Sequence, residues 1–190
     1  WVGTDFGPGS LTTSCYPRIV KLWTRGTPLA EAKTVFEGRE GDVASTGYSQ
    51  FTAEGRYDFV ARTPAFYRQE TFIVLGGRLV RLDLPEDAEI NGVFKDRLLV
   101  SLRSDLKAGE ATYRQGSLVA GAFDDLLAGA RRFDVLFEPS ERVSLDGVST
   151  TRNHVLVSTL DNVRGKLAVM KLAGGAWTRD RRRLRPPCEL

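Results

Sequence analysis

The sequence predicts an all-β fold, a partial β-propeller of about four blades built from antiparallel four-stranded sheets. Two observations carry this. Most apolar runs are only four to seven residues long and are bounded by Gly, Pro, Asp or Asn, which is the grammar of strands rather than helices. Several runs also echo one another at intervals near 50 residues or its double, the self-similarity expected of stacked units of about four strands each. A four-stranded sheet exposes two apolar faces that only neighbouring sheets can cover, so such units come in arrays.

Taken in order, strands are expected at 18–23 (RIVKLW), 33–37 (KTVFE), 71–75 (TFIVL), 78–84 (RLVRLDL) and 97–102 (RLLVSL). Further strands are expected at 117–120 (SLVA), 133–138 (FDVLFE), 154–160 (HVLVSTL) and 166–172 (KLAVMKL). Only 123–129 (FDDLLAG) reads as a brief helical turn. KTVFEG at 33–38 returns as DVLFEP at 134–139, LLVS at 98–101 as VLVS at 155–158, and GRLVRLDL at 77–84 as GKLAVMKL at 165–172. The looseness of the period is attributed to inserted loops such as Lys107 to Gln115. One partial propeller domain over residues 1–190 is therefore expected.

Bulk composition narrows the function classes. The chain has 190 residues and a formal charge of +3, all of it supplied by residues 177–190, where Arg179, Arg181, Arg182, Arg183 and Arg185 face only Asp180 and Glu189. The body is balanced at 22 basic and 22 acidic residues, so no long-range field draws it to nucleic acid or anionic lipid. Apolar runs such as 72–75 fall far short of the roughly 20 residues a membrane helix needs. Neither a nucleic-acid partner nor a membrane is expected. The chain opens on Trp1 with no Met and no basic-then-apolar leader, so its natural N-terminus is expected to lie upstream, and the compartment, cytoplasm or periplasm, is left open. Cys15 and Cys188 are 173 positions apart, which suits neither a disulfide framework nor a CxxC site.

The order of motifs VGTDFGPGSLTTSCYPRIVKLWTRGTPL (2–29), AKTVFEG (32–38), LKAGEATYRQGSL (106–118), FDVLFEPSERVSL (133–145) and TRNHVLVSTLDNVRGKL (151–167) resembles the propeller of the prolyl oligopeptidase family of serine peptidases, particularly its bacterial members. The resemblance covers nearly the whole chain. It implies a parent enzyme in which an α/β-hydrolase domain with a Ser, Asp and His triad cleaves short peptides after proline, while a seven-bladed propeller caps the site and filters substrates by size. The implied partners are that catalytic domain and short proline-containing peptides. This chain departs from the pattern at Cys15, where the family usually has Gly before Tyr-Pro-Arg, so a turn requiring positive φ is either strained or absent here.

A serine hydrolase of this type needs GxSxG, which sets the nucleophile on a sharp strand-to-helix turn. No GxSxG occurs; GYSQF (47–51) and GVSTT (147–151) lack the second Gly. The one histidine, His154, reads as a strand residue rather than a base. Cys15 paired with His154 as a cysteine hydrolase is the sharper alternative, outweighed by an incidental thiol in a turn. Asp124-Asp125, Glu86-Asp87 and Glu37 with Glu40 read as solvated turn acids, without metal-loop spacing. The glycine-rich opening, Gly3 to Arg18, lacks the third glycine of GxGxxG and no helical pattern follows it. The tail 178–187 (TRDRRRLRPP) offers arginines for phosphate but no interleaved aromatics.

No catalytic, cofactor-binding or metal residue is therefore assigned, no cofactor is expected, and the chain is expected to be inactive alone. A free-standing propeller scaffold that binds a protein or peptide is the alternative. Uncovered sheet faces at either end of a partial array lead to the expectation of a homo-oligomer.

Overall fold

Sheet formation dominates the computed structural model, which describes residues 1–182. Six strands precede residue 88: β1 (Ile19–Leu22), β2 (Lys33–Glu37), β3 (Ala44–Phe51), β4 (Arg56–Ala65), β5 (Arg68–Leu75) and β6 (Arg78–Arg81). Ten follow: β7 (Glu89–Phe94), β8 (Arg97–Ser101), β9 (Leu106–Ala108), β10 (Ala111–Tyr113), β11 (Leu118–Ala122), β12 (Phe133–Phe137), β13 (Val143–Thr150), β14 (Val155–Asp161), β15 (Arg164–Ala173) and β16 (Ala176–Arg182). The one described α-helix, α1, spans Phe123–Leu127. No helix among the described residues is long and apolar enough to cross a membrane.

These strands pair into three antiparallel four-stranded sheets, ordered β3-β4-β5-β6, β12-β11-β8-β7 and β13-β14-β15-β16, and two two-stranded sheets, β1-β2 and β9-β10. The all-β, propeller-like architecture read from the sequence is thus present, with three full four-stranded sheets where about four were expected. All nine runs assigned from the sequence lie on strands. Residues 107–115, expected as an inserted loop, hold most of the β9-β10 hairpin, inserted between the neighbouring strands β8 and β11. Seven strands were not legible. β3 (ASTGYSQF) and β13 (VSLDGVST) carry mostly half-buried or exposed residues, so their apolar signal is thin, and pairing rather than local pattern makes them strands.

Two of the three sequence echoes are structurally equivalent. KTVFE is β2 and DVLF lies in β12, each the last strand before the next sheet begins. LLVS and VLVS lie on β8 and β14, each the second strand of its sheet. The third echo is not equivalent, because GRLVRLDL starts β6, the fourth strand of its sheet, whereas GKLAVMKL forms β15, the third. Both carry alternating apolar residues, and alternation alone does not encode a place in the sheet.

The chain divides into two compact units, one of Trp1–Phe51 and Gly55–Asp87, the other of Thr52–Glu54 and the residues from Ala88 onward. In the first, Val20 of β1 and Phe59, Val60 and Ile73 of β4 and β5 are buried to 2% exposure or less. Phe36 of β2 lies 5.4 Å from Phe72 of β5, ring centre to ring centre, and Tyr48 stacks on Phe59 at 5.3 Å. Gly47 of β3 sits under this layer: a Cβ there would stand 2.6 Å from Val20 Cγ1 and 2.7 Å from Trp1 Cε3. Only glycine permits that approach.

In the second unit, two four-stranded sheets pack face to face. Leu99, Leu118, Ala120 and Leu136 of one meet Val155, Val157, Ala168, Met170 and Leu172 of the other. Period-2 alternation explains the second set, since Val155 and Val157 on β14 and Ala168, Met170 and Leu172 on β15 are the buried members of alternating strands. Polar ties close the edges: Lys95 Nζ donates to Leu172 O at 2.9 Å, and Trp177 Nε1 donates to Asp134 Oδ2 at 3.1 Å.

The turn at Cys15 is strained rather than absent. Cys15 adopts φ 62°, the left-handed region where a Cβ costs roughly 1–2 kcal/mol, and its N–H donates to Thr12 O at 2.9 Å. Two outcomes are expected in chemical denaturation. Cys15→Gly should raise the unfolding free energy by about 1 kcal/mol, because the side chain is exposed and only strain is removed. Leu118→Ala, deleting a side chain of 0% exposure from the packed faces, should lower it by about 2–5 kcal/mol.

Candidate functional site

The glycine- and hydroxyl-rich opening is a self-saturated turn. Asp5 Oδ1 accepts from Gly7 N at 2.8 Å and lies 3.0 Å from Ser10 Oγ; these contacts, the backbone one first, hold its carboxyl below the usual carboxylate range. Ser10 Oγ also accepts from Phe6 N and reaches Gly7 O. Thr12 Oγ1 donates to Val43 O at 3.1 Å and accepts from the N–H groups of Ser14 and Tyr16. Arg18 spans the loop and β2, donating to Gly9 O and Gly38 O at 2.9 Å each. Ser10 and Thr12 are buried, so their hydroxyls are committed to the turn and present no phosphate cradle.

Each sequence candidate has its own local setting. Cys15 is exposed. His154 sits one residue before β14 rather than inside a strand, because Thr151 clasps its backbone: Thr151 N donates to His154 O at 2.8 Å and His154 N to Thr151 Oγ1 at 3.1 Å. Ser49 of GYSQF lies within β3, its Oγ donating to Asp58 Oδ1 at 2.5 Å, and Ser149 of GVSTT lies within β13; neither stands on an elbow. Glu37 and Glu86 face Arg18 and Arg68 at 3.8 and 4.0 Å. Asp124 and Asp125 open α1, where a carboxylate complements the helix dipole. No group of three or more His, Cys, Asp or Glu among the described residues is placed to hold a metal ion. Cys188 and residues 183–187 of the basic tail lie outside the described residues.

Sequence reasoning missed the densest polar cluster. Arg62 on β4 grips Asp42 with two charge-assisted bonds, Nε to Oδ2 at 2.8 Å and Nη2 to Oδ1 at 2.7 Å, and reaches Glu70 on β5 at 2.7 Å. Arg81 on β6 meets the other Glu70 oxygen at 3.1 Å. Asp42 is 3% exposed and also accepts from Arg39 N at 2.7 Å. The Arg62 guanidinium, above all, holds the Asp42 carboxyl below its ordinary range, and Asp42 in turn raises the Arg62 pKa. Both oxygens of Asp42 and both of Glu70 are engaged by arginine, so the cluster locks the β2–β3 connection onto the sheet. The available signal was Arg62 opposite Glu70, which are direct cross-strand partners and show only once the register is known.

A cavity of about 440 Å³ lies in the second unit. Phe137, Glu138 and Ser140 line it from the β12–β13 connection, Val143 and Thr159 from β13 and β14, and Lys166, Leu167, Ala168 and Arg179 from β15 and β16. Asp161, at the end of β14, also lines it and pairs with Lys166; that bond, first among its contacts, lowers the carboxyl's pKa.

No family model matches the chain. It is 29% identical to an uncharacterized peptidase of Rickettsia prowazekii (strain Madrid E), over 94% of this chain and 27% of the relative. It is also 29% identical to an uncharacterized peptidase of Sinorhizobium fredii (strain NBRC 101917 / NGR234), over 94% and 26%. Among solved structures, a post-proline cleaving enzyme from Rickettsia typhi aligns with 95% of this chain at TM-score 0.87 and 27% identity, over 28% of its own length. A structure from an analysis of two prolyl endopeptidases shares the fold at TM-score 0.62 and 19% identity, over 92% of this chain and 25% of its own. The chain thus spans about a quarter of the length of the relatives it matches.

The ion-pair cluster sets an acid limit on stability. A folded-state pKa below the unfolded value means that the Asp42 contribution is fully present above about pH 4 and is lost as pH falls through the depressed folded value. Denaturation midpoints are expected to drop below about pH 4. In Asp42→Asn, less stable at neutral pH because Arg62 loses its bidentate partner, that acid-dependent decline should be shallower.

Proposed function

We propose that this chain, which aligns with part of a post-proline cleaving enzyme, is a partial propeller of the prolyl oligopeptidase family and non-catalytic wall material, part of a cap over the active site of a peptidase that cleaves short peptides after proline. The observation that carries the reading is the match of 95% of the chain to 28% of a post-proline cleaving enzyme at TM-score 0.87. The absence of GxSxG from the sequence agrees with it, since the nucleophile then comes from elsewhere in the enzyme.

The physical role follows from stiffness. Sheets whose faces interdigitate at the density of a protein interior resist deformation, so an opening bounded by such sheets admits a flexible peptide and excludes a folded protein. Its partners in this reading are an α/β-hydrolase domain and short proline-containing peptides. The Asp42, Arg62 and Glu70 lock would keep one such sheet rigid without taking part in chemistry.

Two measurements test this. The purified chain is expected to leave a proline-containing chromogenic peptide intact; turnover that a serine-directed reagent abolishes would overturn the reading. In a full-length relative, excising the homologous segment should raise cleavage of long polypeptides relative to short peptides, and an unchanged ratio counts against a filtering role.

A further inference from the structure

The packed sheet faces of the second unit run out of bulk at one end. On β15 the buried row shrinks from Leu172 and Met170 to Ala168, and on β14 the row of Val155 and Val157 ends in a polar residue, Thr159. Ala168 lies opposite Val157, and the next cross-strand partner of Thr159 is the exposed Lys166. The cavity of about 440 Å³ opens where the large side chains stop, lined by Phe137, Val143 and Ala168 as its apolar surface. Such a volume falls within the roughly 300–1,000 Å³ of small-molecule pockets.

Thr159 gives this apolar space one buried hydroxyl. The residue is 4% exposed and lines the cavity, and among the described residues nothing bonds its side chain. Ser45 and Ser117 also bury unbonded hydroxyls, but Thr159 borders open volume. A buried hydroxyl without a partner costs stability, and a ligand that supplies the partner recovers it. The charged groups that line the cavity do not call for an ion. Lys166 pairs with Asp161, Glu138 faces Arg114 at 3.5 Å, and Arg179 has a partner of its own. An ion entering here competes with those contacts, whereas a neutral molecule leaves them intact.

We propose that this cavity binds an uncharged amphiphile, its apolar body on Phe137, Val143 and Ala168 and one amide or hydroxyl group bonded to Thr159 Oγ1. The site is made of this chain's own residues, so it stands whether or not the chain caps a peptidase.

The test is an NMR titration of the labelled 190-residue chain with one apolar body in four charge states: N-acetyl-leucinamide, neutral; leucinamide, a cation; N-acetyl-leucine, an anion; and leucine, a zwitterion. Saturable amide shifts centred on Thr159, Lys166 and Ala168 are expected for the neutral form, with each charged form roughly tenfold weaker or more because its charge must be desolvated. Thr159→Val keeps the shape and deletes the hydroxyl, so it should weaken the neutral form roughly fivefold while the fold is no less stable, since no bond within the protein is lost. Val143→Trp, at a half-buried lining position, should fill the space and abolish the shifts. Absence of saturable shifts at the cavity, a charged form that binds as tightly as the neutral one, or binding that survives Val143→Trp overturns the proposal. So does a Thr159→Val chain that binds undiminished, or one that is destabilised, because the hydroxyl then serves the protein instead of a ligand.

Discussion

Apolar faces of four-stranded sheets have to be covered, and most features of this protein follow from how that is done. In the second unit the cover is another sheet, with Leu99, Leu118 and Ala120 against Val155, Val157 and Met170. In the first it is the β1-β2 pair and the opening segment, whose Trp1 and Val20 press onto the bare backbone of Gly47. Burial of each large side chain contributes about 1.5–3 kcal/mol, more than any single surface contact offers. Strand pairing supplies the backbone hydrogen bonds, and face covering supplies most of the driving force.

The polar clusters take their meaning from that arrangement. Trp1 Nε1, Ser49 Oγ and Arg56 Nε all converge on Asp58 Oδ1, fixing the indole whose ring covers Gly47. Arg62 joins the turn at Asp42 to β5 through Glu70. Breaking such a half-buried pair leaves an uncompensated charge and costs more than the pair itself contributes. These groups resemble catalytic clusters in composition, yet their carboxylates are already engaged, Asp58 Oδ1 by Trp1, Ser49 and Arg56 and both oxygens of Asp42 by Arg62. Reactive sites need poised, unsatisfied groups, and saturation marks a structural role. The cavity that Lys166 lines differs in having open volume.

Strain is distributed unevenly among the turns. Gly76-Gly77 and Gly174-Gly175 supply positive φ between β5 and β6 and between β15 and β16 without a steric cost. Cys15, Tyr67 and Val163 adopt the same region with side chains in place, each at the expense of roughly 1–2 kcal/mol. At Cys15 the geometry is imposed by neighbours: Thr12 bonds the backbone on both sides, Thr12 N to Tyr16 O and Cys15 N to Thr12 O. A side chain at this position is therefore absorbed as local strain.

The sequence by itself determined the all-β class, nine of the strands, the brief helix and the family resemblance, because alternation and turn residues are local properties that survive without knowledge of partners. It also identified two true echoes, at β2 and β12 and at β8 and β14. Tertiary structure alone decided the rest. β3 and β13 are too polar to announce themselves and become strands through their pairing with β4 and β14. GRLVRLDL and GKLAVMKL look alike yet occupy different places in their sheets, since alternation specifies a face and not a neighbour. The Asp42, Arg62 and Glu70 cluster gathers residues 8 to 28 positions apart, and the cavity gathers residues up to 42 apart. Local pattern does not encode such distances; the register of the strands and the packing of one sheet face on the next do.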